Sequence, residues 1–201
     1  MRAEVMTLGT PNPRQREFLA CEKKYVAFGG ARGGGKSWAV RCKAKLLALR
    51  YAGIRILLVR RSLAELEANH LAFLRQELAD VAEYRAGERQ FRFCNGSVLQ
   101  FGYCGCDRDL DRYQGAEYDV IFLDEATQMK EQWMRQIAAC VRGVNDFPKR
   151  IYYTCNPGGP GHGYIKRLFI DRRFEDGEQP EDYAFIPARV TDNAALLARQ
   201  P

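Results

Sequence analysis

Short apolar runs alternate with longer amphipathic segments along the chain, the order expected of a parallel β-sheet with helices packed on its faces. Tyr25 to Phe28 reads as a strand ending at Gly29-Gly30, and Ile54 to Val59 (IRILLV) as a second buried strand. Between them Trp38, Val40, Leu46, Leu47 and Leu49 recur at helical spacing among basic residues, predicting a helix from Lys36 to Ala52 that Gly53 stops. Ser62 and Glu65 form a capping-box pattern, which predicts a helix running to about Tyr84 with Leu63, Leu66, Leu71, Leu74 and Leu78 as its apolar stripe.

The segments Phe91 to Phe93 and Val98 to Phe101, joined through Asn95-Gly96, predict an antiparallel hairpin inserted into the βα alternation. Cys104 to Gly115 is rich in Asp, Arg and Gly and reads as an exposed connection. Tyr118 to Leu123 is a third buried strand, followed by a helix from about Thr127 to Arg142 and a fourth strand, Arg150 to Thr154. Asn156 to Gly163 (NPGGPGHG) must turn, a short helix follows near Tyr164 to Ile170, and an acidic Gly/Pro stretch around Glu175 to Glu181 precedes Phe185-Ile186.

Composition narrows the class. With 201 residues, 46% hydrophobic and 28% charged, the chain has room for one real core and little more. Its net charge of +6 favours a polyanionic partner without identifying one. Seven scattered cysteines, no Cys-x-x-Cys and two histidines fit neither a disulfide scaffold nor a zinc finger. The first ten residues lack the apolar stretch of a signal peptide, and the apolar runs are strand-sized, so a reduced, cytosolic protein without a membrane span is expected.

Chemistry enters at Gly30-Ala31-Arg32-Gly33-Gly34-Gly35-Lys36-Ser37, a full match to G-x-x-x-x-G-K-[ST] between a predicted strand and a predicted helix. Such a loop turns its backbone N–H groups toward phosphates, and the following helix directs its positive end at the same anion. Lys36 is then expected on the β- and γ-phosphates, and Ser37 on a Mg²⁺ that bridges them. Arg32 could grip the γ-phosphate bidentately or could be a plain solvent-facing arginine. Val120 to Leu123 delivers Asp124 and Glu125 to the C-terminal end of a buried strand, where open α/β sheets bind ligands. Asp124 is assigned to the Mg²⁺ through its water shell and Glu125 to activation of the attacking water. An Asn-Lys-x-Asp guanine reader is absent, so ATP is the expected nucleotide and hydrolysis the reaction.

The stretches GGARGGGKS, FCNGSVLQFGY, DRYQGAEYDVIFLDEATQM, TCNPGGPGHGYIKRLF and ARVTDNAAL together resemble the N-terminal ATPase domain of the large terminase subunit of tailed double-stranded DNA bacteriophages, from Pro13 to Leu197. The resemblance implies an α/β P-loop NTPase of the RecA-like ASCE type, a parallel sheet flanked by helices with a β-hairpin insertion. It implies ATP and Mg²⁺ as cofactors and translocation of double-stranded viral DNA into a procapsid, in the cytoplasm of the bacterial host. A homo-oligomeric ring on a portal and a small terminase subunit are the implied partners. By the same resemblance Thr154 and Asn156 belong to a coupling motif that senses the γ-phosphate, and Gln15 to an adenine contact. An Asn-Pro turn and a helix-start surface glutamine are the plain readings of the same residues. Arg112 is the candidate for an arginine acting in a neighbouring subunit, with Arg108, Arg142 and Arg150 as alternatives. The family's nuclease domain has no counterpart here, so residues 1–201 are expected to be one ATPase domain, with an N-terminal arm to about residue 12 and the start of a linker from about 188. Half of a DEAD-type helicase, to which Asp124-Glu125-Ala126-Thr127 is similar, and a nucleotide-gated binding module without appreciable hydrolysis are the competing expectations. Cys104, Cys106 and His162 are expected to be structural or incidental.

Overall fold

In the computed structural model, which describes residues 9–31, 33–189 and 192, six parallel strands and a two-strand antiparallel extension form one sheet in the order β3-β4-β5-β2-β6-β7-β1-β8. The parallel members are β1 (Tyr25–Gly30), β2 (Arg55–Arg60), β5 (Val98–Tyr103), β6 (Val120–Leu123), β7 (Arg150–Cys155) and β8 (Tyr183–Ala188). β4 (Gln90–Phe93) runs antiparallel to β5, and β3 (Ala82–Arg85) antiparallel to β4. All six parallel strands therefore end on one edge, and β7 lies between β1 and β6.

Alternate residues of each strand enter opposite cores, as the two-residue period of a strand requires. Val26, Phe28, Ile56, Leu58, Phe122, Tyr152 and Ile186 face one layer, built from α1 (Pro13–Ala20), α2 (Lys36–Arg50), α3 (Leu63–Leu66) and α4 (Ala72–Glu77). Ala27, Leu57, Val59, Ile121, Leu123 and Tyr153 face the other, built from α5 (Glu131–Ala138), α6 (His162–Phe169) and a 3₁₀ turn, Asp107–Tyr113. Each valine, leucine, isoleucine or phenylalanine among these contributes roughly 1.5–3 kcal/mol by leaving water.

Several expectations are corrected. The helix predicted from Ser62 to Tyr84 ends at Glu77 and contains a π turn, Glu67–Leu71, and Tyr84 belongs instead to β3. Tyr84 packs on Phe91 across the ribbon, a cross-strand aromatic contact that outweighs continuation of the helix. The helix predicted from Thr127 to Arg142 is shorter, a 3₁₀ turn (Ala126–Gln128) followed by α5. The Cys104–Gly115 connection is not uniformly exposed: Leu110 and Tyr113 are buried, and the Asp109 carboxylate accepts from Gly105 and Cys106 N–H at 2.8 and 3.1 Å. Phe185 and Ile186 lie in β8 beside β1.

α2 departs from its predicted faces in part. Val40 and Leu47 are buried as expected, but Leu46 and Leu49 are exposed, and Arg41, Lys43 and Lys45 are buried. Each buried cation has a partner, as burial of charge demands. Lys43 donates to the last carbonyls of α1, Leu19 and Cys21; Lys45 pairs with Glu77; Arg41 donates to the Asn69 carbonyl and also faces Glu77.

The glycine-rich segment after β7 is a packing device. A Cβ on Gly161 would lie 2.3 Å from the Met129 carbonyl oxygen and 2.7 Å from Met134 Cε, although the backbone there (φ −90°) suits any residue. Gly161→Ala should cost about 2–3 kcal/mol through overpacking alone. Denaturant unfolding checks this, and an unchanged midpoint would mean that α6 is not held against the Ala126–Gln128 turn as described.

Candidate active site

The strand order brings three chain segments to one edge. β1 leads into the Gly30–Ser37 loop, β6 into Asp124 and Glu125, and β7 into Thr154 to Asn156. Gly33 (φ +80°) and Gly35 (φ +70°) adopt left-handed backbone that a side chain would strain, which lets the loop close directly onto α2. The Ala31 N–H bonds the Ala188 carbonyl at 2.9 Å, so the end of β8 braces the loop. Arg32 lies outside the described residues.

Lys36, buried at the first turn of α2, donates to the Ala31 carbonyl at 2.5 Å and to Asn156 Oδ1 at 2.7 Å. The other end of the Asn156 amide donates to both Glu125 carboxylate oxygens at 2.8 Å. An ammonium, an amide and a carboxylate thus form one hydrogen-bonded chain across β1, β7 and β6, and the loop and the acids meet in a single place. Thr154 ties the acids together: its hydroxyl donates to Asp124 Oδ1 at 2.5 Å and accepts from the Glu125 N–H at 2.9 Å. Ser37 follows Lys36 and is half-buried.

Asp124 is 1% exposed, and two further groups that the sequence did not single out reach its Oδ2. His70 Nε2 lies at 2.8 Å and Arg60 Nε at 3.2 Å, and Arg60 also approaches Glu125 Oε1 at 3.7 Å. Burial alone would raise the Asp124 carboxyl, but His70, Arg60 and the Thr154 hydroxyl together hold it down to about 2. It is therefore an anion at any physiological pH. Ser37 and Asp124 each carry oxygen donors, the kind of ligand that Mg²⁺ selects. Among the described residues no group of three or more His, Cys, Asp or Glu could hold a metal ion.

Glu125 is one of three described non-glycine residues with left-handed backbone, at φ +55° and ψ 44°. A non-glycine residue there is costly, and such positions concentrate at functional sites. Gln15, predicted as an adenine contact, is buried against the same loop. Its amide donates to the Gly35 carbonyl at 3.1 Å and accepts from the Asn12 N–H at 2.8 Å, which fixes the start of α1. Arg112 makes its contacts away from this cluster, with Asp109 at 3.2 Å and over the Tyr103 ring at 4.0 Å. His162 Nδ1 accepts from the Gly158 N–H at 3.3 Å.

Arg60 had a legible signal, since a charge closing the buried run of β2 occupies the same edge as Asp124. His70 had little: a lone histidine in an apolar stripe usually denotes a packed core residue.

A family model described as terminase large subunit, T4likevirus-type, N-terminal, matches residues 27–200. No curated protein sequence matches the chain. Among solved structures, the large terminase of a thermophilic bacteriophage in complex with ADP superimposes with a TM-score of 0.74 at 16% identity, covering 92% of this chain and 46% of that one. The ATPase domain of the large terminase of Thermus phage P74-26 gives 0.69 at 14% identity, covering 94% and 85%. The N-terminal domain of the DNA packaging ATPase of bacteriophage phi29 gives 0.58 at 18% identity, covering 86% and 93%. The chain spans about half the length of the first of these proteins, and at these identities the likeness establishes a shared fold.

Proposed function

The chain belongs to the T4-like type of terminase large subunits, as their N-terminal part, and from that premise we propose that it is an ATPase domain whose hydrolysis drives double-stranded viral DNA into a procapsid. The observation that carries the reading is the hydrogen-bonded chain from Lys36 through Asn156 to Glu125. It fits an enzyme that must register a γ-phosphate beside a catalytic acid. Family membership also favours this reading over half of a helicase.

Backbone N–H groups of the glycine-rich loop, apart from the Ala31 N–H that is bonded to Ala188, would receive the phosphates at the positive end of α2. Lys36 would exchange the Ala31 carbonyl and Asn156 Oδ1 for β- and γ-phosphate oxygens. Ser37 and Asp124 would hold Mg²⁺, whose charge offsets that of the phosphates. Glu125, fixed by its strained backbone and by Asn156, would take the proton of the attacking water. Losing its Lys36 contact would leave the Asn156 side chain free to change partners, which gives Thr154 and Asn156 a physical means of reporting occupancy along β7. Arg32 within the loop and Arg112 of a neighbouring copy are the proposed sources of further positive charge, and Gln15 of an adenine contact. The wider assignment comprises a ring on a portal, a small terminase subunit, duplex DNA and the cytoplasm of the host. Among the described residues no helix is long and apolar enough to cross a membrane.

Steady-state phosphate release at increasing protein concentration, with and without duplex DNA, tests the proposal. Magnesium-dependent turnover should rise per molecule as neighbours complete each other's sites, and duplex affinity should fall steeply with salt as counterions are released. Absence of hydrolysis at every concentration, with and without DNA, would refute it.

A further inference from the structure

We propose that His70 is a positioning residue for the metal-side carboxylate, its ring fixing Asp124 in the orientation from which that acid serves the magnesium–nucleotide; this rests on the ATPase reading above. The imidazole is fully buried, with Nε2 2.8 Å from Asp124 Oδ2. An ionised carboxylate can only accept, so Nε2 is the donor. The other ring nitrogen, Nδ1, has no hydrogen-bond partner among the described residues. A histidine buried for its own satisfaction would use both nitrogens, because a buried polar atom left unpaired costs about 1–3 kcal/mol. This ring is committed to Asp124 at the expense of its second nitrogen.

The backbone that carries it is equally specific. His70 sits in the π turn Glu67–Leu71, between the α-helical segments α3 and α4. Single π turns are uncommon and concentrate at functional sites. The turn is pinned from two directions: Arg41 of α2 donates to the Asn69 carbonyl at 2.8 Å, and Asn69 Nδ2 donates to the Glu65 carbonyl at 2.7 Å. α2 is the helix that begins at Lys36, so one rigid connection joins the phosphate loop's helix to the π turn and, through His70, to Asp124.

Counting acceptor sites shows what the contact does. A carboxylate offers about four, two on each oxygen. His70 donates to Oδ2, beside which the Arg60 guanidinium lies as an ion pair, and the Thr154 hydroxyl takes one site on Oδ1. One site on each oxygen is left over. Without the His70 donor the carboxylate can rotate toward Arg60, and those free sites lose their direction. Hydrogen-bond partners of groups that serve metals are typically worth 10–100-fold in metal affinity or activity.

The test is calorimetric titration of a non-hydrolysable ATP analogue into the full chain, in Mg²⁺ and in EDTA, with thermal unfolding run in parallel. His70→Leu removes the donor at similar volume. His70→Asn is too short to reach, and His70→Gln places an amide nitrogen near the position of Nε2. The affinity gained on adding Mg²⁺ should fall about tenfold in His70→Leu and His70→Asn and recover in His70→Gln, with affinity in EDTA the same in all. A His70→Asn protein that keeps the full magnesium-dependent gain, or variants that lose affinity equally with and without the metal, would overturn the proposal. If His70→Leu fails to fold, the Asn and Gln pair decides. Wild-type protein that binds no magnesium–nucleotide would instead refute the ATPase reading itself.

Discussion

Replacing Glu125 by glutamine is expected to lower the rate of ATP turnover by a hundredfold or more while leaving nucleotide affinity within about threefold, since a positioned general base contributes 10²–10⁴-fold. The substitution is nearly isosteric, and the glutamine oxygen can still accept from Asn156 Nδ2, so the hydrogen-bonded chain to Lys36 survives. What disappears is a proton acceptor of carboxylate basicity and one negative charge facing Arg60. The strained backbone at Glu125 belongs to the fold rather than to the side chain, and glutamine inherits it unchanged. Phosphate release under saturating magnesium–ATP, with analogue binding measured alongside, separates the chemical step from binding. A variant whose turnover stays within a few-fold of wild type would remove Glu125 from the role of base and leave Asn156 holding a carboxylate of no catalytic use.

Much of the architecture was legible because the signals were local. A continuous apolar run followed by an abrupt charge marks a buried parallel strand and its C-terminal end, and this pattern singled out Asp124 and Glu125, as the glycine-rich motif singled out Lys36. The bent helix after β2 was legible only in part. Its apolar positions step by five from Leu66 to Leu71, where a regular helix steps by three or four, and the π turn lies across that interval. The faces of α2 were misread for a different reason. Arg41, Lys43 and Lys45 look like a solvated face in sequence, yet Glu77 and the carbonyls of residues 19, 21 and 69, all distant in sequence, satisfy them. Periodicity reports how apolar a position is, and it carries no information on whether a partner for a buried charge will arrive from another element. The second anchor of Asp124 escaped notice likewise, because His70 reaches it across 54 residues of chain.

Lys36→Ala should abolish both binding and turnover, and the contrast with Glu125→Gln is what locates the phosphates. The Lys36 ammonium is already desolvated, and its contacts include two neutral oxygens, the Ala31 carbonyl and Asn156 Oδ1. Exchanging these for anionic phosphate oxygens converts neutral acceptors into charged ones, and a hydrogen bond to a charged group is worth about 1.5–3 kcal/mol. Two such bonds amount to about 3–6 kcal/mol, a loss of roughly 10²–10⁴-fold in affinity. The folded chain itself should suffer little, because deletion removes a buried cation together with its desolvation cost and frees an Asn156 oxygen at a half-open edge. Thermal unfolding then discriminates sharply. A nucleotide at 100 times its Kd stabilises wild-type protein by about 2.7 kcal/mol, and the same concentration should stabilise Lys36→Ala by about 0.4 kcal/mol at most. Were the variant to show the full ligand-induced shift, the glycine-rich loop would not be where the triphosphate sits, and the convergence of β1, β6 and β7 on this edge would need another ligand to explain it.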